Sequence, residues 1–227
     1  MAPIYSKLPE YFADTDYRNP QDPACAGFQY AHKWNGNLWS YYDAHPWAEI
    51  FPIHTIIDSN FKKPLLVDVG GGIGHDVLCF YKAYPEMAPR LYVEDLEPVI
   101  EEAELPSGVH KVPYNFFTPQ SIKGARVYFM HSIIHDWPDE PARRIFKIQR
   151  EAMTPGYSRL LLHEHIAADG LPTPEGAALD IRMMALVAGR EHSERDWRVL
   201  VESAGLRIVR IWKLSFAIHS ILELEPA

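Results

Sequence analysis

The sequence predicts a doubly wound α/β fold: a mostly parallel, seven-stranded sheet with one antiparallel strand at the C-terminal end. Three observations support it. From residue 64 onward, short apolar runs alternate with helical stretches, the rhythm of right-handed crossovers. The first run, Leu65-Leu66-Val67-Asp68-Val69, passes directly into Gly70, Gly71, Gly72 and Gly74. The last two runs, Arg207–Lys213 and Phe216–Leu222, lie too close together for a crossover and must pair antiparallel.

Residues 1–27, rich in Pro and Asp and without a period, read as an extended arm. Residues 28–57 carry Phe28, Tyr30, Trp34, Trp39, Tyr41, Tyr42, Trp47 and Phe51, too much apolar surface for a solvated tail. They read as helices packed on the main domain, or as rings lining a ligand pocket or a subunit contact. This divides the chain into an arm and aromatic-rich helical segment, 1–60, and a main domain, 61–227.

Within that domain, Leu65–Val69 is the first strand, and Ile73–Tyr84 is a helix stopped by Pro85. Leu91–Val93 is the second strand, followed by an acidic helix around Val99–Glu104. Val109–Val112 and Arg126–Met130 are the third and fourth strands, and Pro138–Met153 is the next helix. Leu160–Leu162 is the fifth strand, with helical stretches at Gly176–Val187 and Ser193–Ala204. The closing pair then adds a hairpin-coupled strand at the edge of the sheet.

Composition narrows the function. With 47% hydrophobic and 23% charged residues, the 227-residue chain is ordinary globular material with a large enough core to need no staples. The formal charge of −8 argues against a nucleic-acid or anionic-membrane partner. Two cysteines, Cys25 and Cys79, support neither a disulfide framework nor a cysteine zinc site. No apolar run is long enough to span a bilayer, and no signal peptide is visible, so a cytoplasmic protein is expected.

The strongest chemical signal is Asp68-Val69-Gly70-Gly71-Gly72-Ile73-Gly74, at a strand-to-helix turn. Ligands of such folds bind beyond the C-terminal strand ends, and a helix N-terminus offers N–H groups to an anion. The dinucleotide pattern G-x-G-x-x-G fails on spacing, because His75 or Val77 stands where its last glycine belongs. The pattern D-x-G-x-G-x-G fits in full; the plain alternative is a structural glycine turn. Glu94-Asp95 ends the second strand, where an acid can accept ribose hydroxyls or simply favour a helix N-terminus. The fourth strand leads to His135, over the same crevice. It is a general base by position and titration range, or a structural histidine. Asp136 beside it is suited to capping the helix that begins at Pro138. In His163-Glu164-His165, alternation puts both histidines on one face. A His-x-His metal pair lacks a recognisable third ligand, so no metal is expected. Glu164 is a better candidate for orienting a catalytic imidazole, with Glu191 either a second such residue or a surface acid.

These stretches resemble the catalytic domain of plant and fungal small-molecule O-methyltransferases that use S-adenosylmethionine, whose fold is Rossmann-like. The resemblance runs from about residue 64 to 213. It rests on Val67–Gly74, Asp95-Leu96, Ile134-His135-Asp136-Trp137-Pro138-Asp139-Glu140, Gly189–Ser193 and Ala204-Gly205, in matching order and spacing. Phe28–His32 and Phe116–Gln120 are similar to the fungal secondary-metabolism branch. The resemblance implies that Asp68, Gly70, Gly72 and Gly74 hold the methionyl part of S-adenosylmethionine. Asp95 and Leu96 would meet its ribose, Asn115 and Phe116 would flank its adenine, and His131 would complete the cofactor set. It implies that His135 deprotonates the hydroxyl of an aromatic or polyketide-like substrate, with Glu164 and Glu191 holding its ring.

Three departures stand out. Asn115 replaces the family's usual Asp, His131 replaces a usual Lys or Arg, and the usual N-terminal winged-helix dimerisation domain is not recognised. A homodimer or hetero-oligomer would then form through the aromatic N-terminal segment. Two other functions remain open on these residues: a methyltransferase-like pericyclase or isomerase, and a non-catalytic partner protein.

Overall fold

In the computed structural model, residues 2–16, 30, 33, 47–57, 62–168, 170, 174–187, 189–214 and 219–227 are described. The first surprise is a helix, α1 (Ala2–Asp14), where an extended arm was expected. Pro3 falls in its first turn, where a missing N–H breaks no bond. Lys7 and Glu10 pair one turn apart at 2.6 Å, and the Thr15 hydroxyl donates to the Tyr11 carbonyl near the C-terminal end. Counting prolines and aspartates obscured these local partners. Most of the aromatic segment 28–46 lies outside the described residues; Trp47 opens a short helix, α2 (Trp47–Ile50).

The remaining elements are β1 (Leu66–Val69), α3 (His75–Ala83), β2 (Leu91–Asp95), α4 (Glu97–Glu101), β3 (His110–Pro113), β4 (Val127–His131), α5 (Asp139–Ala152), β5 (Arg159–His165), α6 (Pro174–Val187), α7 (Glu194–Ser203), β6 (Leu206–Trp212) and β7 (His219–Pro226). The sheet runs β3-β2-β1-β4-β5-β7-β6, and β7 is antiparallel to both neighbours. The predicted seven-stranded, mostly parallel sheet is therefore present. The hairpin-coupled edge strand is β6, and β7 lies inside the sheet between β5 and β6. The apolar β7, with Ile221, Leu222 and Leu224 buried, is covered on both sides. Phe216, the expected start of that strand, lies outside the described residues.

β5 is also longer than the three leucines suggested, because His163 and Glu164 continue the strand with buried polar side chains. β1 is buried at every position, as a central parallel strand should be. β3, an edge strand, instead carries exposed His110, Lys111 and Pro113, which blunt the edge against pairing.

Alternation along the strands feeds two cores. Val67, Val69, Tyr128, Met130, Leu160 and Leu162 pack under Ile145 and Phe146 of α5 and Trp197 and Leu200 of α7. Leu66, Val127, Phe129 and Leu161 face the other way, against Trp47, Val77 and Phe80. Trp47 stacks on Phe80 at 6.2 Å and lies 4.7 Å from Phe129. α5 turns Ala142, Ile145, Phe146 and Gln149 inward at helical spacing. α7 is started by a capping box between Ser193 and Asp196. The C-terminal ends of the parallel strands β1, β2, β4 and β5 lie along one edge of the sheet.

Candidate active site

β1 and β4 are neighbours, while the chain leaves β1 for β2 on the other side. The loops after β1 and β4 therefore diverge and open a crevice at the switch of strand order. The glycine loop lines one wall. Gly70, Gly72 and Gly74 all adopt positive φ, which only glycine takes without strain. Gly70 and Gly71 N–H groups donate to the Glu94 carbonyl at 2.8 and 3.0 Å, tying the loop to β2. Asp95 holds it from above: its Oδ2 accepts from Gly72 N–H at 2.8 Å and its Oδ1 from Leu96 N–H at 2.7 Å. Each oxygen keeps lone pairs for a further hydroxyl. Among the described residues, a Cβ built on Gly72 would meet nothing within 4 Å, so none of them fills the space in front of the loop. Beneath it, Asp68 is buried, and its Oδ2 has no hydrogen-bond partner. Burial, and then the charges of Asp76, Asp95 and Glu94, push its pKa well up. A cationic ligand would relieve this crowding of carboxylates.

A further side of the crevice is built by the segment after β3. Asn115 is exposed, and its Oδ1 accepts from Phe117 N–H at 3.0 Å, closing a local turn. Only its amide NH₂ is left to donate outward. Phe116 reaches the glycine loop, its ring 3.6 Å from a Cβ built on Gly70. Leu96 is 53% exposed beside Asp95 and offers an apolar face. Behind this segment, Gln120 donates to buried Glu94 at 2.7 Å. Burial outweighs that bond and pushes Glu94 up to about 7.

The other wall carries a cluster of titratable residues. β4 ends at His131, Ser132 takes a left-handed φ of 53°, and a single 3-10 turn, Ile134–Asp136, presents His135. Glu164, fully buried on β5, anchors that turn: its Oε1 accepts from Ile133 N–H at 3.0 Å and Ile134 N–H at 2.7 Å. Its Oε2 lies 3.8 Å from His135 Nδ1, too far for a hydrogen bond. Glu164 thus holds the backbone that carries the imidazole more than the ring itself. Burial raises its pKa, against the pull of His135.

The ring is held by Glu191. Its Oε1 accepts from His135 Nδ1 at 3.3 Å and its Oε2 from His165 Nδ1 at 3.1 Å. Glu191 is thereby a buried acid and not a surface one. Burial alone would raise its pKa, but the two histidine hydrogen bonds hold it at about 2. For His135, burial lowers the pKa, but the Glu191 hydrogen bond and the Glu164 charge overcome it and raise the value to about 9. Asp180 of α6 accepts from Glu191 N–H at 2.9 Å and fixes that acid in turn.

His131 is brought elsewhere. Its Nδ1 bonds Asp76 Oδ2 at 2.8 Å, and its ring lies 4.1 Å from that of His163. His163 and His165 do not act as a pair, since His165 belongs to Glu191. Sequence reading missed Ser132, Asp180 and the roles of His165 and Gly189. A Cβ on Gly189 would overlap the His135 carbonyl oxygen, to which Arg190 N–H donates at 3.2 Å. The only signal for that contact was the glycine itself, inside Gly189-Arg190-Glu191.

Residues 54–207 match the family model described as an O-methyltransferase domain. The chain belongs to this family. Among curated relatives of these O-methyltransferases, it is 45% identical to the O-methyltransferase mfmE of Annulohypoxylon moriforme, over 98% of this chain and 61% of that protein. It is 36% identical to the O-methyltransferase penC of Penicillium thymicola, over 94% and 59%. The chain thus spans about three fifths of the length of these relatives. Two solved structures, one of LepI in complex with SAM and one described as a pericyclic reaction enzyme, superpose with TM-scores of 0.74 and 0.72. Each is 26% identical, over 99% of this chain and 64% of the other. The methyltransferase fold that the resemblance implied is borne out. Among the described residues, no helix is long and apolar enough to cross a membrane.

Proposed function

We propose that this O-methyltransferase-family chain transfers the methyl group of S-adenosylmethionine to a hydroxyl of a phenolic or enolic small molecule in fungal secondary metabolism. The observation that carries the reading is His135, held between Glu191 and the Glu164-anchored turn across the crevice from an open glycine loop. Residues 61–227 supply this chemistry.

The crevice suits the cofactor. Asp68 and the Gly70–Gly74 loop offer carboxylate and backbone amides to its amino-acid end, Asp95 accepts from a ribose diol, and Leu96, Phe116 and the Asn115 amide fit a purine. His131 is left out of this set, because it is engaged with Asp76 and His163. Bound there, S-adenosylmethionine would supply an activated methyl group. The chain's own task is then positioning and proton removal. Glu191 keeps Nδ1 of His135 protonated, so Nε2 is the atom that takes the hydroxyl proton. An acceptor phenol with a pKa of about 10 gains nucleophilicity as that proton leaves.

A second reading is favoured by one observation, the likeness to a pericyclic reaction enzyme. The same cleft would then steer a rearrangement, with His135 as a proton donor. Calorimetric titration with S-adenosylmethionine and its demethylated product, followed by incubation with phenolic acceptors, separates the two. Micromolar binding with methyl turnover supports the first. Binding without turnover across acceptors supports the second, and no binding of either ligand overturns the cofactor site.

A further inference from the structure

Three histidines unused by this chemistry meet at the ends of adjacent strands. His131 ends β4 and lies in register with His163 of β5, and His219 opens β7 on the other side of β5. One ring nitrogen of each lies within 4.8 Å of one of each other. The ring centroids are 4.1 Å apart for His131 and His163, 5.3 Å for His163 and His219, and 5.6 Å for His131 and His219. Alternation along β5 turns His163 away from the face that carries Glu164.

We propose that His131, His163 and His219 form a binding site for a divalent transition-metal ion that prefers imidazole ligands, zinc being the type case. This site does not depend on the methyl-transfer reading. Three imidazoles are a donor set for Zn²⁺, with a fourth position open to water. His163 is 3% exposed, and its Nδ1 has no hydrogen-bond partner, a costly condition that a metal bond would remove. Asp76 binds His131 Nδ1 at 2.8 Å, the arrangement of a carboxylate that orients a metal-ligating imidazole from behind. Burial lowers the pKa of His163, and that of His219 to about 3, so both rings are neutral and able to ligate at pH 7. His131 and His219 are only half-buried, which leaves a path for the ion. Coordination at about 2.0–2.1 Å would draw the nitrogens to about 3.4 Å apart, a movement that side-chain torsions at three strand ends can supply.

The test is metal titration of the full chain after chelator treatment, using Co²⁺ for its visible absorption and then Zn²⁺ by calorimetry. The expected result is one equivalent of Co²⁺ with a nitrogen-ligated spectrum, displaced by Zn²⁺. His163→Ala should weaken binding by at least a hundredfold, and Asp76→Asn by about ten- to a hundredfold. The exposed His110→Asn should bind like the parent. If His163→Ala does not fold, His219→Asn carries the same expectation. No uptake of Co²⁺ or Zn²⁺ overturns the proposal. So does stoichiometric uptake that survives replacement of His163 or His219, which would place the ion elsewhere among the histidines.

Discussion

His135 and Glu191 are 56 positions apart in the chain and meet at 3.3 Å between Nδ1 and Oε1, with the acid's other oxygen on His165. One carboxylate thus fixes the tautomer of His135, orients its ring and raises its proton affinity. The following outcomes rest on that contact and on its neighbours.

Removing the imidazole should separate binding from chemistry. His135→Ala should leave S-adenosylmethionine affinity within a few-fold, because the glycine loop and Asp95 are untouched. Methyl transfer should fall by about two orders of magnitude or more, the reach of a general base. Single-turnover transfer beside calorimetry is the check, and equal transfer rates would remove His135 from the mechanism.

The pH profile should rise well into the alkaline range. His135, at about 9, is protonated at neutral pH, and only about 1% is the free base at pH 7. The transfer rate in the parent should climb toward pH 9. Glu191→Gln removes the hydrogen-bonded carboxylate and should move that midpoint down toward the ordinary histidine value.

Folding stability should follow the same pair. His135 has a folded pKa above its unfolded value of about 6.5, so its contribution is complete below that value and is lost as pH rises through 9. Glu191 has a folded pKa below its unfolded value, so its contribution is present above about 4.5 and is lost as pH falls through 2. Melting temperatures should therefore show a larger gap between the parent and Glu191→Gln at pH 5–6 than at pH 9.5. A constant gap would show that the pair is not electrostatically coupled.

Glu164 is expected to matter for shape. Glu164→Ala leaves the N–H groups of Ile133 and Ile134 unpaired, one of them buried. A loss of about 2–4 kcal/mol follows. That corresponds to a fall in Tm of roughly 5–12 °C at this size. Glu164→Gln keeps an acceptor oxygen and should recover most of it, as differential scanning calorimetry can show.

Gly189→Ala should push the His135 carbonyl aside, because no room exists for a methyl group there. Strain of about 1–3 kcal/mol is expected. Acceptor turnover should drop sharply while cofactor affinity holds, since the atoms nearest a Cβ on Gly189 belong to His135 and Asp136. Unaltered turnover in this variant would mean that the turn bearing His135 adapts freely.

The strand–helix rhythm, the position of the glycine loop, and the candidates Asp95, His135, Glu164 and Glu191 were legible in the order of the residues. These are local properties: apolar periodicity, glycine spacing and the residues that follow strand ends. Tertiary structure alone decided which acid does what. Glu164 holds the backbone of the turn and Glu191 holds the ring, because β5 points one carboxylate at the N–H groups of Ile133 and Ile134 while Asp180 sets the other. It also placed β7 inside the sheet, where buried Leu222 and Leu224 find partners on both sides, a choice set by burial and not by chain proximity. The meeting of His131, His163 and His219 was likewise invisible in sequence, since strands 32 and 56 residues apart become neighbours only when hydrogen-bonded into one sheet.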